Sequence, residues 1–116
     1  MAYTLNGKES NVEIVETPIF TRKIKDVLPD DEYSKLQWAL VINPEAGALI
    51  PGAKGLRKLR WVIPGKGKRG GLRIIYYWYV RDETIYMLLP YKKSEQEDLT
   101  KEQIKILSEY VKEGVL

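Results

Sequence analysis

The chain has 116 residues, with 19 Lys and Arg against 16 Asp and Glu, and it contains neither His nor Cys. This length fits one domain spanning 1–116 with a modest core. Without Cys there is no disulfide or thiolate metal site, and without His the commonest general base and metal ligand is missing, so no metal and no cofactor is expected. The formal net charge of +3 hides an asymmetry: Ala46 to Arg81 holds nine Lys or Arg and no acid, whereas the other 80 positions hold ten basic and 16 acidic residues. A segment of net +9 in a remainder of −6 attracts polyanions, nucleic acid above all. Met1 to Ser10 lacks the apolar core of a signal peptide, and the longest apolar run, Ile74 to Val80, is seven residues, far short of a bilayer span. A cytoplasmic chain with no membrane partner is expected.

In chain order, 1–11 is polar and is expected to begin as a flexible tail. Val12 to Glu16 is a short strand. Thr17-Pro18 combines an N-cap with proline at the first helical position, and Ile19, Phe20, Ile24 and Val27 give helical spacing up to Leu28. After Pro29, Asp30 is expected to cap a second helix, with Asp31 and Glu32 complementing its positive end and Tyr33, Leu36 and Leu40 on one stripe. Asn43 to Gly55 reads as a loop. Leu56 to Trp61, Leu72 to Val80 and Thr84 to Leu89 read as strands, rich in β-branched and aromatic residues, with a turn at Arg81-Asp82-Glu83 and an exit from the sheet after Pro90. Thr100-Lys101-Glu102-Gln103 is a capping box that opens a last helix carrying Ile104, Leu107 and Val111. The fold class is therefore α+β: a small antiparallel-type sheet of about four strands, an N-terminal helical hairpin and a C-terminal helix.

Residues two apart in a strand share a face. Lys58 and Arg60 thus project together, and Arg73, Ile75, Tyr77 and Tyr79 share a face of the next strand. If those faces align, Lys58, Arg60 and Arg73 meet the loop cations Lys66, Lys68 and Arg69, forming a cationic concavity with tyrosines nearby. A solvated basic sheet face is the plainer reading. The Gly-rich loop argues against it, because glycine lets backbone approach phosphate closely. Gly65 to Gly70 fits G-x-G-x-x-G by spacing, but it joins strand to strand and not strand to helix, which excludes a dinucleotide site. Tyr91-Lys92-Lys93-Ser94 reads as a charged turn after the last strand, or as a cation and a tyrosine at the pocket edge.

Gly55-Leu56-Arg57-Lys58-Leu59-Arg60, the run Gly65-Lys66-Gly67-Lys68-Arg69-Gly70-Gly71-Leu72-Arg73, Tyr91-Lys92-Lys93-Ser94-Glu95 and Asp98-Leu99-Thr100 together resemble the HigB-like branch of the RelE/ParE toxin superfamily, over roughly Glu13 to Val111. The resemblance implies a compact toxin of a bacterial type II toxin–antitoxin pair, which enters the ribosomal A site and cuts mRNA. It further implies a cognate antitoxin with a helix-turn-helix DNA-binding domain, and contact with operator DNA only through that antitoxin. Carried across by position, the basic strand pair is Lys58 and Arg60, and the arginine at the scissile phosphate is Arg73. The basic residue after the last strand is Lys92 or Lys93; we place Lys93 with the catalytic set. Arg57, Lys66, Lys68, Arg69, Tyr77, Tyr91 and Lys92 form the expected RNA- and ribosome-binding set. Two departures stand out. The position of RelE's catalytic tyrosine falls around Leu99-Thr100, and the second lysine of its pair is Arg60.

The chemistry agrees with the resemblance without depending on it. Cleavage by the RNA's own 2′-hydroxyl needs preorganised cations for the charge that builds at phosphorus. Arginine is a poor proton carrier, so Arg60 and Arg73 suit phosphate clamping, while Lys58 is the residue that can move a proton. Two other functions compete with this one: a ParE-like, non-enzymatic poison of DNA gyrase, and a plain RNA-binding protein.

Overall fold

The computed structural model describes residues 3–5, 8–63, 65 and 71–112. Strands β1 (Tyr3–Leu5) and β2 (Lys8–Ser10) pair antiparallel, where the sequence leads one to expect a flexible tail. Strand β3 (Glu13–Glu16) then leads into helix α1 (Pro18–Val27). Thr17 caps α1 by accepting from Phe20 N–H at 3.1 Å, with Pro18 at the first helical position. Helix α2 (Asp30–Ile42) departs from expectation at its start. Pro29 occupies the cap position without a side-chain bond, and Asp30 is the first helical residue. Asp30, Asp31 and Glu32 all lie in the first turn, where they act on the helix dipole and not as a cap.

The main sheet has the order β3-β7-β6-β5-β4, built from β4 (Ala48–Leu49), β5 (Leu56–Trp61), β6 (Leu72–Tyr79) and β7 (Thr84–Lys92). The α+β class holds, but the sheet is mixed and five-stranded: β3 runs parallel to β7, and the other neighbours are antiparallel. Strand β4 lies inside the expected loop. A strand of two residues is too short to show alternation. It is held in place by Tyr76, whose hydroxyl accepts from Gly47 N–H at 2.8 Å and donates to Pro44 O at 2.7 Å. A Cβ on Gly47 would lie 2.7 Å from the Tyr76 ring, so this close approach requires glycine.

Strand β7 also runs past Pro90, where the sequence predicts an exit. Lys93 N–H donates to Gly71 O at 3.1 Å, and antiparallel pairs alternate between bonded and non-bonded. Pro90, opposite Ile74, therefore occupies a non-bonded position. Its nitrogen faces the other edge, where β3 has already ended at Met87, so the missing N–H breaks no ladder bond.

The core lies on both faces of the sheet. On one face Phe20, Ile24, Leu36 and Leu40 of the helical hairpin pack on Leu72, Ile74 and Tyr76. On the other, helix α3 (Lys101–Tyr110) opens on the expected capping box, and Ile104, Leu107 and Val111 pack near Ile75, Leu88 and Leu89. Odd-numbered residues of β6 face α3, and even-numbered residues face the hairpin. This parity decides which cations meet.

Candidate active site

In the β5–β6 ladder Lys58 lies opposite Ile75 and Arg60 opposite Arg73. In the β6–β7 ladder Arg73 lies opposite Tyr91. Lys58, Arg60 and Arg73 therefore project from the α3 face. Arg60, Arg73 and Lys93 line one cavity of about 250 Å³, walled by Trp61, Val62 and Gly71. Lys93 is anchored there by its ladder bond to Gly71. Lys58 and Arg60 line a second cavity of about 440 Å³, so Arg60 stands between the two.

Arg73 is the most deeply placed cation among the described residues, 7% exposed. Its only described hydrogen bond is a long one, 3.5 Å from Nη1 to Leu72 O, and among the described residues no carboxylate pairs with it. Asp98 is the acid that sequence reasoning missed. Its carboxylate accepts from Lys58 Nζ at 2.8 Å. That hydrogen bond foremost, with the charge of Lys58 and Arg60, holds the Asp98 carboxyl below the usual carboxylate range, against a smaller opposing effect of burial. Lys58 and Asp98 are 40 positions apart, so no local pattern joins them. The one signal was the Asp98-Leu99-Thr100 motif of the resemblance.

The remaining expected site residues separate. Arg57 lies opposite Tyr76, on the hairpin face, and donates to Gly47 O at 2.8 Å and Glu45 O at 3.2 Å. Lys92 lies opposite Leu72 on that same face and lines a different cavity, with Lys23 and Asp26. Tyr91 is 4% exposed in the core under α3, and its hydroxyl is buried without a hydrogen-bond partner among the described residues. Burial, chiefly, and then the Asp98 charge raise its pKa, while Arg73 lowers it. Tyr77 packs beside the same core and stacks on Tyr79 at 6.3 Å, lining neither cation cavity. Lys66, Lys68 and Arg69 lie outside the described residues. Among the described residues no helix is long and apolar enough to cross a membrane, and no cluster of three metal-ligating side chains occurs.

No family model matches the sequence. Among solved structures, the chain is similar to the free state of an arginine-to-alanine double mutant of the E. coli toxin RelE, with a TM-score of 0.54 at 13% identity over 75% of this chain and 88% of that one. The chain has a RelE-like α+β fold.

Proposed function

We propose that this chain is a HigB-like toxin of a type II toxin–antitoxin pair, and that it cleaves mRNA in the ribosomal A site. The observation that carries the reading is Arg73, a cation 7% exposed, without a paired carboxylate among the described residues, in a cavity it shares with Arg60 and Lys93. An unpaired charge in that position is costly, and an incoming phosphodiester compensates it. Arg60 and Arg73 clamp the phosphate and stabilise the negative charge that grows as the 2′-oxygen attacks phosphorus and the bond to the 5′-oxygen breaks. The flanking lysines, Lys58 and Lys93, supply groups that can exchange a proton. The RelE-like fold supports the same reading. The ribosome positions the RNA for in-line attack, and a cognate antitoxin with a helix-turn-helix domain restrains the toxin.

The test is to map mRNA 5′ ends after the chain is induced in a bacterial host. In-frame cuts confined to translated regions are expected. DNA breaks with intact mRNA would favour a gyrase poison, and growth arrest with neither would favour RNA binding without cleavage.

A further inference from the structure

We propose that the tyrosine-rich end of the α3 face, at the far end of the strands from Arg73, is a docking site for an arginine-rich segment of a partner protein. Three neighbouring strands build it. Val15 of β3 lies opposite Tyr86 of β7, and Tyr86 lies opposite Tyr77 of β6. One row further out, Glu13 lies opposite Thr84, and Thr84 lies opposite Tyr79. Residues two apart in a strand share a face, so both rows project on the α3 side. Helix α3 does not seal this end: Val15 and Tyr110, the last residue of the helix, are each 42% exposed.

Rings and carboxylates together select the occupant. Tyr77 and Tyr79 stack, with their centroids 6.3 Å apart and their planes 29° apart. Tyr86 senses the charge around them. Burial, chiefly, raises its pKa, and Asp82, Tyr79, Tyr110 and Glu13 each raise it further. No cation among the described residues lowers it, whereas Arg73 lowers that of Tyr91. The two ends of one sheet face therefore carry opposite fields, although the chain as a whole is basic.

Aromatic faces attract cations through the ring quadrupole, and arginine is the cation that suits both parts of this surface. Its flat guanidinium stacks on a ring, and its fork bonds a carboxylate. Asp82 supplies that carboxylate from the exposed turn between β6 and β7. The turn is held through its main chain, where Asp82 O accepts from Thr84 Oγ1 at 3.0 Å. A nucleic acid is repelled by these acids, and an apolar partner leaves them unanswered. Neighbouring strands lie about 5 Å apart, so a face three strands wide has room for a run of arginines.

The test uses the whole chain and fluorescein-labelled hexa-arginine, with hexacitrulline as its uncharged isostere. By anisotropy, wild type is expected to bind the arginine peptide about tenfold more tightly than the citrulline peptide. Tyr79→Leu combined with Tyr110→Leu should weaken arginine binding about tenfold, and the corresponding phenylalanine pair should keep it within about threefold, because the ring faces survive. Asp82→Asn, on an exposed turn, should fold normally and weaken binding about threefold, which keeps the test decisive if the leucine pair unfolds. Equal binding of the two peptides, no binding, or an arginine affinity that survives Asp82→Asn would overturn the site. So would a wild type that sediments as a dimer and reverts to a monomer in the leucine pair, which would assign the face to a second copy. No RNA enters the measurement and nothing is cut, so its outcome and that of the cleavage map are independent.

Discussion

Arg60 and Arg73 stand directly opposite each other across the β5–β6 ladder, two like charges on one face of the sheet. Cross-strand partners lie about 5 Å apart at their Cα atoms, and like charges in that arrangement destabilise a sheet. Arg73 is buried and Arg60 is exposed, so solvent screens one partner of this repulsion. On the proposed reading, stability and anion binding therefore pull in opposite directions at this pair.

Arg73→Met should separate the two effects. Methionine keeps most of the volume and removes a buried charge, so the variant is expected to melt at or above the wild-type temperature. Its single-turnover cleavage on programmed ribosomes should fall about a hundredfold, the loss typical of removing one transition-state charge stabiliser. Arg73→Lys should recover only part of that, since a point charge cannot form the guanidinium fork. A methionine variant that cuts at the wild-type rate would remove Arg73 from the site.

The adjacent lysines after Tyr91 give a register test. Lys93 shares a cavity with Arg60 and Arg73, whereas Lys92 sits on the hairpin face. Lys93→Ala should slow cleavage at least tenfold, and Lys92→Ala should change it less than twofold. Equal losses measured in parallel would show that both lysines act through general charge and not through position.

Tyr76→Phe should cost about 1–3 kcal/mol of unfolding free energy, because Gly47 N–H loses its buried acceptor. Urea titration at neutral pH checks this. Burial, above all, raises the Tyr76 pKa from the ordinary value of 10.0. The unfolded chain releases that proton first as pH rises, so the contribution is complete below 10.0 and is lost as pH climbs through the raised folded value. The phenylalanine variant should accordingly show a shallower alkaline loss of stability, with the raised Tyr86, Tyr91 and Lys35 contributing to the slope that remains. An unchanged slope would assign the alkaline loss elsewhere.

Thr17 performs two tasks with one hydroxyl, which caps α1 through Phe20 N–H and donates to Leu88 O at 2.9 Å. Thr17→Ala should therefore lower stability by about 2 kcal/mol, and Thr17→Ser should recover most of it. Denaturant midpoints of the three proteins decide. Equal midpoints for alanine and serine would point to the lost methyl group and not the hydroxyl.

Local chemistry was legible where a signal lies within a few residues. The Thr17-Pro18 start, the capping box at Thr100 and the bounds of β5 could all be read directly, and strand parity correctly joined Lys58, Arg60 and Arg73. What the sequence concealed depends on distant partners. The parallel placement of β3 is fixed by β7, β4 by its pairing with β5 and the Tyr76 hydroxyl, and the harmless Pro90 by where β3 ends. Asp98 belongs to the site because of a lysine 40 positions away. Tyr91 falls in the opposite class: its position beside the cations suggested a binding role, but its side chain is spent on packing under α3.

The pairing of β3 with β7 also fixes when the site can exist. Thr17 reaches Leu88 across 71 positions, and β7 lies between β3 and β6 in the sheet. A chain emerging from its N-terminus holds β3 without its sheet neighbour until β7 has been made, and contacts this far apart in sequence form slowly. Lys93, which shares the cavity of Arg60 and Arg73, arrives later still. On the proposed reading, the segment from β3 to β6 is inert until β7 has followed it off the ribosome.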